Sequence, residues 1–275
     1  MDAIKNLMKN TPNKNGREMR EDEYIGEDGL YYCQSCKTPR QVNIDGRILS
    51  CICKCQADER DRKEQEAELI RKQKYIESLK EQSLLGRRYN NVTFANTETG
   101  HNPQFDNAIN TCFNYCECSV ENLEEGKGIY LYGDKGTGKT HLTACMVDAL
   151  TKKYQACLLT NFFEISKAIR NTFKGSGTES GYINKLTNID FLFIDDLGTE
   201  LVQRNGEDNW LQEKIFEIIN MRYNNLKPTI FTSNHSLNQL IHERGFMEKT
   251  VDRIYEMCAG NILKIEGKSF RLKVK

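Results

Sequence analysis

The residues with the clearest chemistry lie in Gly133–Thr140, which has the spacing G-x-x-x-x-G-K-[ST]. Glycines in such a loop adopt backbone angles that bulkier residues avoid, so successive N–H groups can converge on a phosphate. Lys139 would then reach the β- and γ-phosphates, and the hydroxyl of Thr140 would bind Mg²⁺. The segment therefore predicts a binding site for ATP with Mg²⁺.

The residues on either side of this loop predict the elements that must hold it. Gly128–Tyr132 is typical of a short buried strand, and His141–Leu150 of a helix whose positive end would face the phosphates. The alternative is a chance glycine-rich turn, which the second half of the site, described next, disfavours. We expect nine residues to bind the nucleotide: Gly133, Asp134, Lys135, Gly136, Thr137, Gly138, Lys139, Thr140 and His141.

A second acidic segment follows a run of apolar residues. Phe191–Ile194 predicts a central parallel strand that is buried on both faces. Asp195 and Asp196 come at its carboxyl end, where ligands bind in open α/β sheets. Asp195 is expected to bind Mg²⁺, directly or through water, and Asp196 to orient or deprotonate the attacking water. Alone, two acids after a strand would fit a simple turn, but the glycine loop upstream favours the catalytic interpretation.

Five of the eleven cysteines are clustered near the N-terminus. Cys33 and Cys36 form a C-x-x-C pair, and Cys51, Cys53 and Cys55 follow after a short loop. Two thiolate pairs at this separation suit tetrahedral Zn²⁺, which would supply folding energy to a segment too small for a large core. We expect four of the five to bind zinc, with Cys53 and Cys55 or Cys51 and Cys53 as the second pair. The alternative is a set of free thiols or a redox pair.

The composition predicts a soluble, cytoplasmic protein. The chain has 275 residues, with 39 basic and 39 acidic side chains, so any nucleic-acid binding must come from a local patch. It contains no apolar run long enough to cross a membrane, and the N-terminus lacks a signal-peptide core. Cysteines without a secretory signal favour a reducing compartment.

The order of these segments predicts three parts. Residues 1–58 form a zinc-binding module, in which Asp45-Gly46 marks a hairpin turn. Residues 59–82 are dense in charge and free of Gly and Pro, which indicates an exposed linker helix. Residues 83–275 form the nucleotide-binding domain, and the segment before its glycine loop, 87–94, is expected to fold over the adenine.

Near the C-terminus, Pro228–Ser233 predicts another strand, which would place Asn234 beside the γ-phosphate or the attacking water. Two short helices and a strand follow. Arg253 and Arg271 lie among these last elements, and either residue alone would also fit an ordinary surface position.

Taken together, the segments resemble the AAA+ helicase loaders of bacteria and their phages, the DnaC/DnaI type. The glycine loop alone would indicate only a superfamily, whereas the two-aspartate strand end, the Thr-Ser-Asn strand end and Ser269-Phe270-Arg271 are more specific, and the zinc module separates loaders from most relatives. The resemblance covers nearly the whole chain and depends on these segments: Cys33–Cys55, Arg88-Tyr89, Phe94, Gly133–Thr140, Ile194–Gly198, Arg222-Tyr223, Pro228–Asn234, Asp252–Ile254 and Gly267–Arg271.

The resemblance implies an α/β fold: a P-loop AAA+ three-layer parallel sheet with a reduced C-terminal lid, preceded by the small zinc-binding module and the linker helix. Asn234 resembles sensor 1, Arg271 the sensor 2 position, and Arg253 the arginine finger that reaches a neighbouring subunit's nucleotide. A finger acting in this way implies a homo-oligomer. Asp196 departs from many AAA+ ATPases, which carry Glu there.

The resemblance also implies a function. Residues 1–58 would dock on a replicative helicase of the DnaB type, and the ATPase domain at 83–275 would bind single-stranded DNA. ATP binding and hydrolysis would then load the hexameric helicase onto DNA during replication initiation. One alternative is a transposition helper ATPase of the IstB type, which the zinc module disfavours. Another is a nucleotide-gated adaptor that does not hydrolyse ATP.

Overall fold

The structure is a computed structural model that describes residues 17–86, 89, 91–100, 102–172, 175, 177–199 and 206–270, without the side chains of 206–209. The chain divides into two compact units, Met1–Arg71 and Lys72–Lys275. The boundary falls inside the first helix, α1 (Lys54–Gln82). None of the helices in the described ranges is both long and apolar enough to span a membrane.

The first unit contains two antiparallel hairpins. Strand β1 (Glu23–Ile25) pairs with β2 (Tyr31–Cys33), and β3 (Gln41–Ile44) pairs with β4 (Arg47–Ser50). Asp45 and Gly46 join β3 to β4 with φ values of 52° and 80°, the left-handed conformation of the tightest hairpin turns. The predicted turn is therefore present, because these residue types tolerate positive φ.

The second unit begins with the last turns of α1. Ile76 and Leu79 are buried in its core, whereas Leu69 and Ile70, earlier on the same helix, are 51% and 52% exposed. After the helix ends, Leu159 N–H donates to Ser83 Oγ at 3.0 Å, and Leu84 N–H donates to Leu159 O at 3.0 Å. The C-terminal end of this charged helix is thus anchored to the second unit by both packing and hydrogen bonds.

A parallel sheet forms the centre of the second unit. Its strand order is β6-β7-β8-β5-β9, and every neighbouring pair is parallel. The predicted α/β fold with a parallel sheet is confirmed. The strands are β5 (Ile129–Tyr132), β6 (Cys157–Thr160), β7 (Phe191–Leu197), β8 (Thr229–Ser233) and β9 (Ile262–Lys264).

Helices cover both faces of this sheet. Successive strand residues enter different hydrophobic clusters: Phe193 and Ile230 pack in one, whereas Ile194 and Phe231 pack in the other. This alternation follows from the period of two in a strand and gives the expected three layers. The helices are α2 (Pro103–Glu117), α3 (Ser119–Glu125), α4 (Lys139–Lys152), α5 (Phe162–Thr172), α6 (Glu179–Asn188), α7 (Gly206–Asn224), α8 (Leu237–His242) and α9 (Glu248–Met257).

The chain after β8 is short. It forms α8 and α9 and then returns to the sheet as β9, which pairs with β5 next to the glycine loop. Within the described residues, which end at 270, no helix follows β9. The return of the chain as β9 brings the last described residues close to Gly133–Thr140.

Candidate nucleotide-binding site and cysteine cluster

The glycine loop connects β5 to α4 in the predicted strand–loop–helix order. Gly136 and Gly138 have φ values of 82° and 96°, which L-residues rarely adopt. A Cβ atom at Gly138 would lie 2.5 Å from the ring of Phe105, and one at Gly136 would lie 2.0 Å from Ser269 Oγ. Both positions therefore require glycine for conformation and for space.

The side chains of Lys139 and Thr140 connect the loop to the ends of two other strands. Lys139 is 5% exposed, and its Nζ donates to Gly133 O at 2.8 Å, to Asp134 O at 2.7 Å and to Asn234 Oδ1 at 3.1 Å. Thr140 Oγ1 donates to the two carboxylate oxygens of Asp195 at 3.2 and 3.1 Å. The structure thus brings together the predicted phosphate-binding lysine, both predicted Mg²⁺ ligands and Asn234.

Asp195 and Asp196 face different partners at the end of β7. The Asp195 carboxylate accepts hydrogen bonds from Thr140 and Thr232, and burial raises the pKa of this carboxyl. Asp196 has φ 54°, a strained value for a residue with a Cβ, and lines the cavity described below. The pairing of β7 with β8 shifts register between Ile194 and Leu197, the stretch of the strand that contains Asp196.

Several hydrogen bonds hold the strained turn at Asp196. Its N–H donates to Thr232 Oγ1 at 2.9 Å, and Ser233 Oγ donates to Leu197 O at 2.6 Å. Arg244, just after α8, donates to Gly198 O at 2.6 Å and to Thr199 O at 3.1 Å. The sequence carries no signal for this role of Arg244, which depends on the fold that places α8 beside the turn.

A cavity of about 550 Å³ opens beside the loop. Six of the nine residues expected to bind nucleotide line it: Lys135, Gly136, Gly138, Lys139, Thr140 and His141. Gly133, Asp134 and Thr137 do not line it but shape the loop, where Thr137 Oγ1 donates to Asp134 O at 2.8 Å. Volume and donors both fit a nucleotide with its phosphates on the loop.

The remaining wall comes from residues outside the glycine loop. Tyr89 and Val92 line the cavity, in the segment expected to cover the adenine, whereas Arg87 and Arg88 lie outside the described residues. Phe105 and Phe270 also line it, and neither was predicted, because an isolated phenylalanine is indistinguishable from a core residue in sequence. His141 Nε2 lies 2.8 Å from Thr97 Oγ1, which fixes its ring at the rim.

Of the two late arginines only Arg253 belongs to the described residues, and it does not line the cavity. Arg253, on α9, stacks over the Tyr223 ring at 4.5 Å and lies 3.6 Å from Glu256. The structure therefore does not bring Arg253 to the site of its own chain. Arg271 lies outside the described residues, and its sensor 2 role stays a prediction.

In the first unit, four of the five clustered cysteines converge. The Sγ atoms of Cys33, Cys36, Cys53 and Cys55 all lie within 4.8 Å of one another. Cys51 is separate, and its thiol donates to Pro39 O at 3.4 Å. Of the two pairings left open by the sequence, the structure favours Cys53 with Cys55.

The surroundings of these thiols fit a thiolate-bound metal. Three sulfur pairs lie 3.4 Å apart, close to the roughly 3.8 Å between ligands of a tetrahedral zinc with Zn–S bonds of about 2.3 Å. The Thr38 hydroxyl lies 3.0 Å from Cys36 Sγ and lowers the pKa of this thiol to about 5. The buried Arg40 guanidinium lies 3.6 Å from Cys33 Sγ, which favours thiolate. The donor set is therefore compatible with Zn²⁺.

The parallel sheet, the glycine loop and the two acids at the end of β7 define a P-loop nucleotide-binding domain of the AAA+ type. Residues 113–275 match the family described as "IstB-like ATP binding protein". The chain belongs to this family, and ATP binding is the property that the family description carries.

The chain is also similar to several known proteins. The phage-like element PBSX protein XkdC of Bacillus subtilis (strain 168) is 26% identical over 250 residues, which cover 88% of this chain and 85% of XkdC. The replicative helicase loader DnaC of Escherichia coli (strain K12) is 30% identical over 146 residues, 52% of this chain and 56% of DnaC. A crystal structure of the DnaC helicase loader superposes with a TM-score of 0.56 at 30% identity, over 66% of this chain and 99% of that one. The predicted resemblance and AAA+ fold are confirmed.

Proposed function

We propose that this protein is an ATP-hydrolysing helicase loader, which places a hexameric replicative helicase of the DnaB type onto single-stranded DNA during replication initiation. The observation that carries the proposal is the similarity of the ATPase unit to a DnaC loader over 99% of that solved chain. Two features of the chain support it further: the complete set of groups for ATP chemistry around Lys139, and a cysteine cluster ahead of the ATPase unit.

Each predicted site residue has a place in this chemistry. Mg²⁺, held by Thr140 and Asp195, would neutralise charge that develops on the phosphates. The Lys139 ammonium, which contacts the carbonyls of Gly133 and Asp134, would turn to the β- and γ-phosphates. Asp196 orients a water and accepts its proton as the water oxygen bonds to the γ-phosphorus and the bond to ADP breaks. The Asn234 amide positions the water or a γ-phosphate oxygen.

Oligomerisation would complete the site. Arg253 stands on α9 with 36% of its side chain exposed and away from the cavity of its own chain. A neighbouring copy that receives this arginine at its γ-phosphate gains the positive charge that phosphoryl transfer requires. Hydrolysis is thereby linked to assembly of a homo-oligomer. Arg271 would add a second positive charge at the sensor 2 position.

The division of labour follows the three predicted parts. Residues 1–58, with Zn²⁺ on Cys33, Cys36, Cys53 and Cys55, would dock on the helicase. The ATPase domain at 83–275 would bind single-stranded DNA, and the charged helix at 59–82 would link the two. The protein would work in the cytoplasm, where replication takes place.

One other function is favoured by a specific observation. The family match at residues 113–275 is to IstB-like proteins. A transposition helper ATPase of the IstB type would use the same ATP site but would act on a different partner protein. A nucleotide-gated adaptor that never hydrolyses ATP would keep Lys139 and Thr140 but would not need Asp196.

The test is a pull-down of the purified protein against a replicative helicase with ATP, ADP or no nucleotide, with ATP hydrolysis measured on the same samples with and without single-stranded DNA. A loader binds the helicase and hydrolyses ATP faster with DNA. Lys139→Ala should abolish nucleotide binding and leave the cysteine module folded. Hydrolysis without helicase binding would point to the transposition helper, and helicase binding without hydrolysis to the adaptor.

A further inference from the structure

The last described residues, 265–270, form a strap that is hydrogen-bonded at one end to the last residue of β5 and at the other end to the glycine loop. Ile265 N–H donates to Tyr132 O at 2.7 Å, where β5 ends and the loop begins. Phe270 N–H donates to Gly136 O at 2.9 Å, in the middle of the loop. Ile265 is also completely buried, so this end of the strap is part of the core.

The middle of the strap is attached to the start of α2 and to the loop. Asn102 Nδ2 donates to Glu266 O at 2.6 Å, and Glu266 N–H donates to Gln104 Oε1 at 2.6 Å. Gly267 N–H donates to Asp134 Oδ2 at 3.4 Å. These contacts connect residues more than a hundred positions apart in the chain, so they exist only in the folded ATPase unit.

The strap also fills space around the loop. Ser269 occupies the position that a Cβ at Gly136 would need, with its Oγ 2.0 Å from that point. The rings of Phe270 and Phe105 have centroids 5.2 Å apart, and both rings line the nucleotide cavity. Phe105 in turn packs against Gly138. Two glycines of the loop are therefore each backed by a residue from outside it.

We propose that Phe270 is a nucleotide-binding residue and that the strap positions the glycine loop for phosphate. The proposal rests on the proposed function only in taking this cavity as the ATP site. Glycine-rich segments lose more conformational freedom on ordering than any others. The strap removes that freedom in advance by holding Gly136 through its carbonyl oxygen, and a loop held in this way keeps its N–H groups for the phosphates.

The arrangement also links ATP affinity to the C-terminus. If the strap improves phosphate binding, bound ATP must stabilise the docked strap by the same factor, because coupling between two sites is reciprocal. A partner that displaces residues 267–270 from the loop would therefore weaken nucleotide binding without touching the catalytic acids.

The first experiment measures the Kd of a fluorescent ATP analogue by titration for Phe270→Ala. We expect a Kd about tenfold higher than that of the unsubstituted protein, the size that loss of a half-buried aromatic wall predicts. Phe113→Ala is the matched control: Phe113 lies on α2, is 46% exposed, and does not line the cavity. Its Kd should be unchanged, and the melting temperatures of both variants without nucleotide show whether they fold.

The second experiment uses the unsubstituted protein and so does not depend on a variant's folding. Amide hydrogen exchange of residues 265–270 is compared with and without ATP, and slower exchange with ATP is expected. An unchanged Kd in folded Phe270→Ala, or unchanged exchange on addition of ATP, would overturn the proposal. If Lys139→Ala loses ATP while Phe270→Ala keeps it, only the strap fails; if Lys139→Ala also binds normally, the cavity is not the ATP site and the proposed function fails with it.

Discussion

In the ATPase unit the candidate functional side chains stand at the ends of parallel strands, whereas in the first unit they stand at the end of one short strand, in a turn and at the start of a helix. Asp195 lies near the end of β7, whereas Lys139 and Asn234 come after the ends of β5 and β8, and these three strands lie next to one another in the sheet. Cys33 ends β2, and Cys55 is the second residue of α1. The sheet itself thus positions the first set, while the second set is assembled from a short strand, a turn and the start of a helix.

The hydrophobic cores of the two units also differ in size. The sheet of the ATPase unit is covered on both faces by large hydrophobic clusters. In the first unit Ile44, Leu49 and Ile52 are 53%, 50% and 54% exposed, and two of the few buried apolar side chains, Cys33 and Cys53, belong to the cysteine cluster. Packing can hold the nucleotide site in place, whereas the first unit has a small core that a metal bound at the cysteine cluster would stabilise.

Removal of the metal should have the largest effect and should be confined to the first unit. Cys36→Ser, or a strong zinc chelator, should unfold residues 17–53, because structural zinc sites contribute about 10–16 kcal/mol to folding. Calorimetry with metal analysis checks this: the transition of the first unit and the bound zinc should both disappear, while ATP affinity stays. If the protein loses its zinc but the unfolding transition of the first unit is unchanged, metal ligation does not stabilise this unit.

The second prediction tests the packed unit. Arg222 is completely buried and donates to the carbonyls of Leu186, Ile189 and Pro228. Arg222→Met keeps the length but leaves these acceptors unsatisfied, which should cost about 3–5 kcal/mol of the free energy of unfolding. The loss of stability is measured by urea unfolding. The control is Arg60→Met at an exposed position, which should change the free energy of unfolding by less than about 0.5 kcal/mol.

The third prediction concerns geometry within the packed unit. Arg244→Ala removes the donors that hold Gly198 and Thr199 and should let the strained Asp196 turn relax. We expect kcat for ATP hydrolysis to fall by about tenfold to a hundredfold with little change in ATP affinity, because small misplacements of a catalytic group are costly. Arg244→Lys should recover part of kcat. A higher Kd for ATP with unchanged kcat would show that Arg244 does not act through Asp196.

The smallest effect is expected at Cys51. Its thiol contacts the Pro39 carbonyl and stands apart from the other four. Cys51→Ser should keep the zinc content and melting temperature of the unsubstituted protein, in direct contrast to Cys36→Ser. Loss of zinc in this variant would mean that Cys51, and not Cys55, completes the site.

The parts that could be predicted from the sequence depend on local spacing. The glycines, lysine and threonine of Gly133–Thr140 are sufficient to predict a phosphate site. The pattern of Phe191–Asp196 is likewise sufficient to predict a buried strand with acids at its end. Asp45-Gly46 likewise identified its turn, because few residues tolerate positive φ. These signals lie within a few residues and do not depend on the rest of the fold.

The parts that could not be predicted depend on contacts between distant segments. The bond from Phe270 to Gly136 and the one from Arg244 to Gly198 require the fold to place one segment beside another. Only the family resemblance singles out Arg222, since no local sequence pattern predicts a fully buried arginine. The choice of Cys55 over Cys51 depends on how α1 begins, which alternating cysteines do not specify.

The central claim is tested most directly by transfer of a replicative helicase to closed circular single-stranded DNA, which a hexameric ring cannot thread without being opened. DNA-bound helicase would be measured with the unsubstituted protein, Lys139→Ala and Cys36→Ser, each with ATP and with ADP. If the protein is a helicase loader, transfer is expected only for the unsubstituted protein with ATP. Equal transfer without the protein, or normal transfer by Lys139→Ala, would contradict the claim.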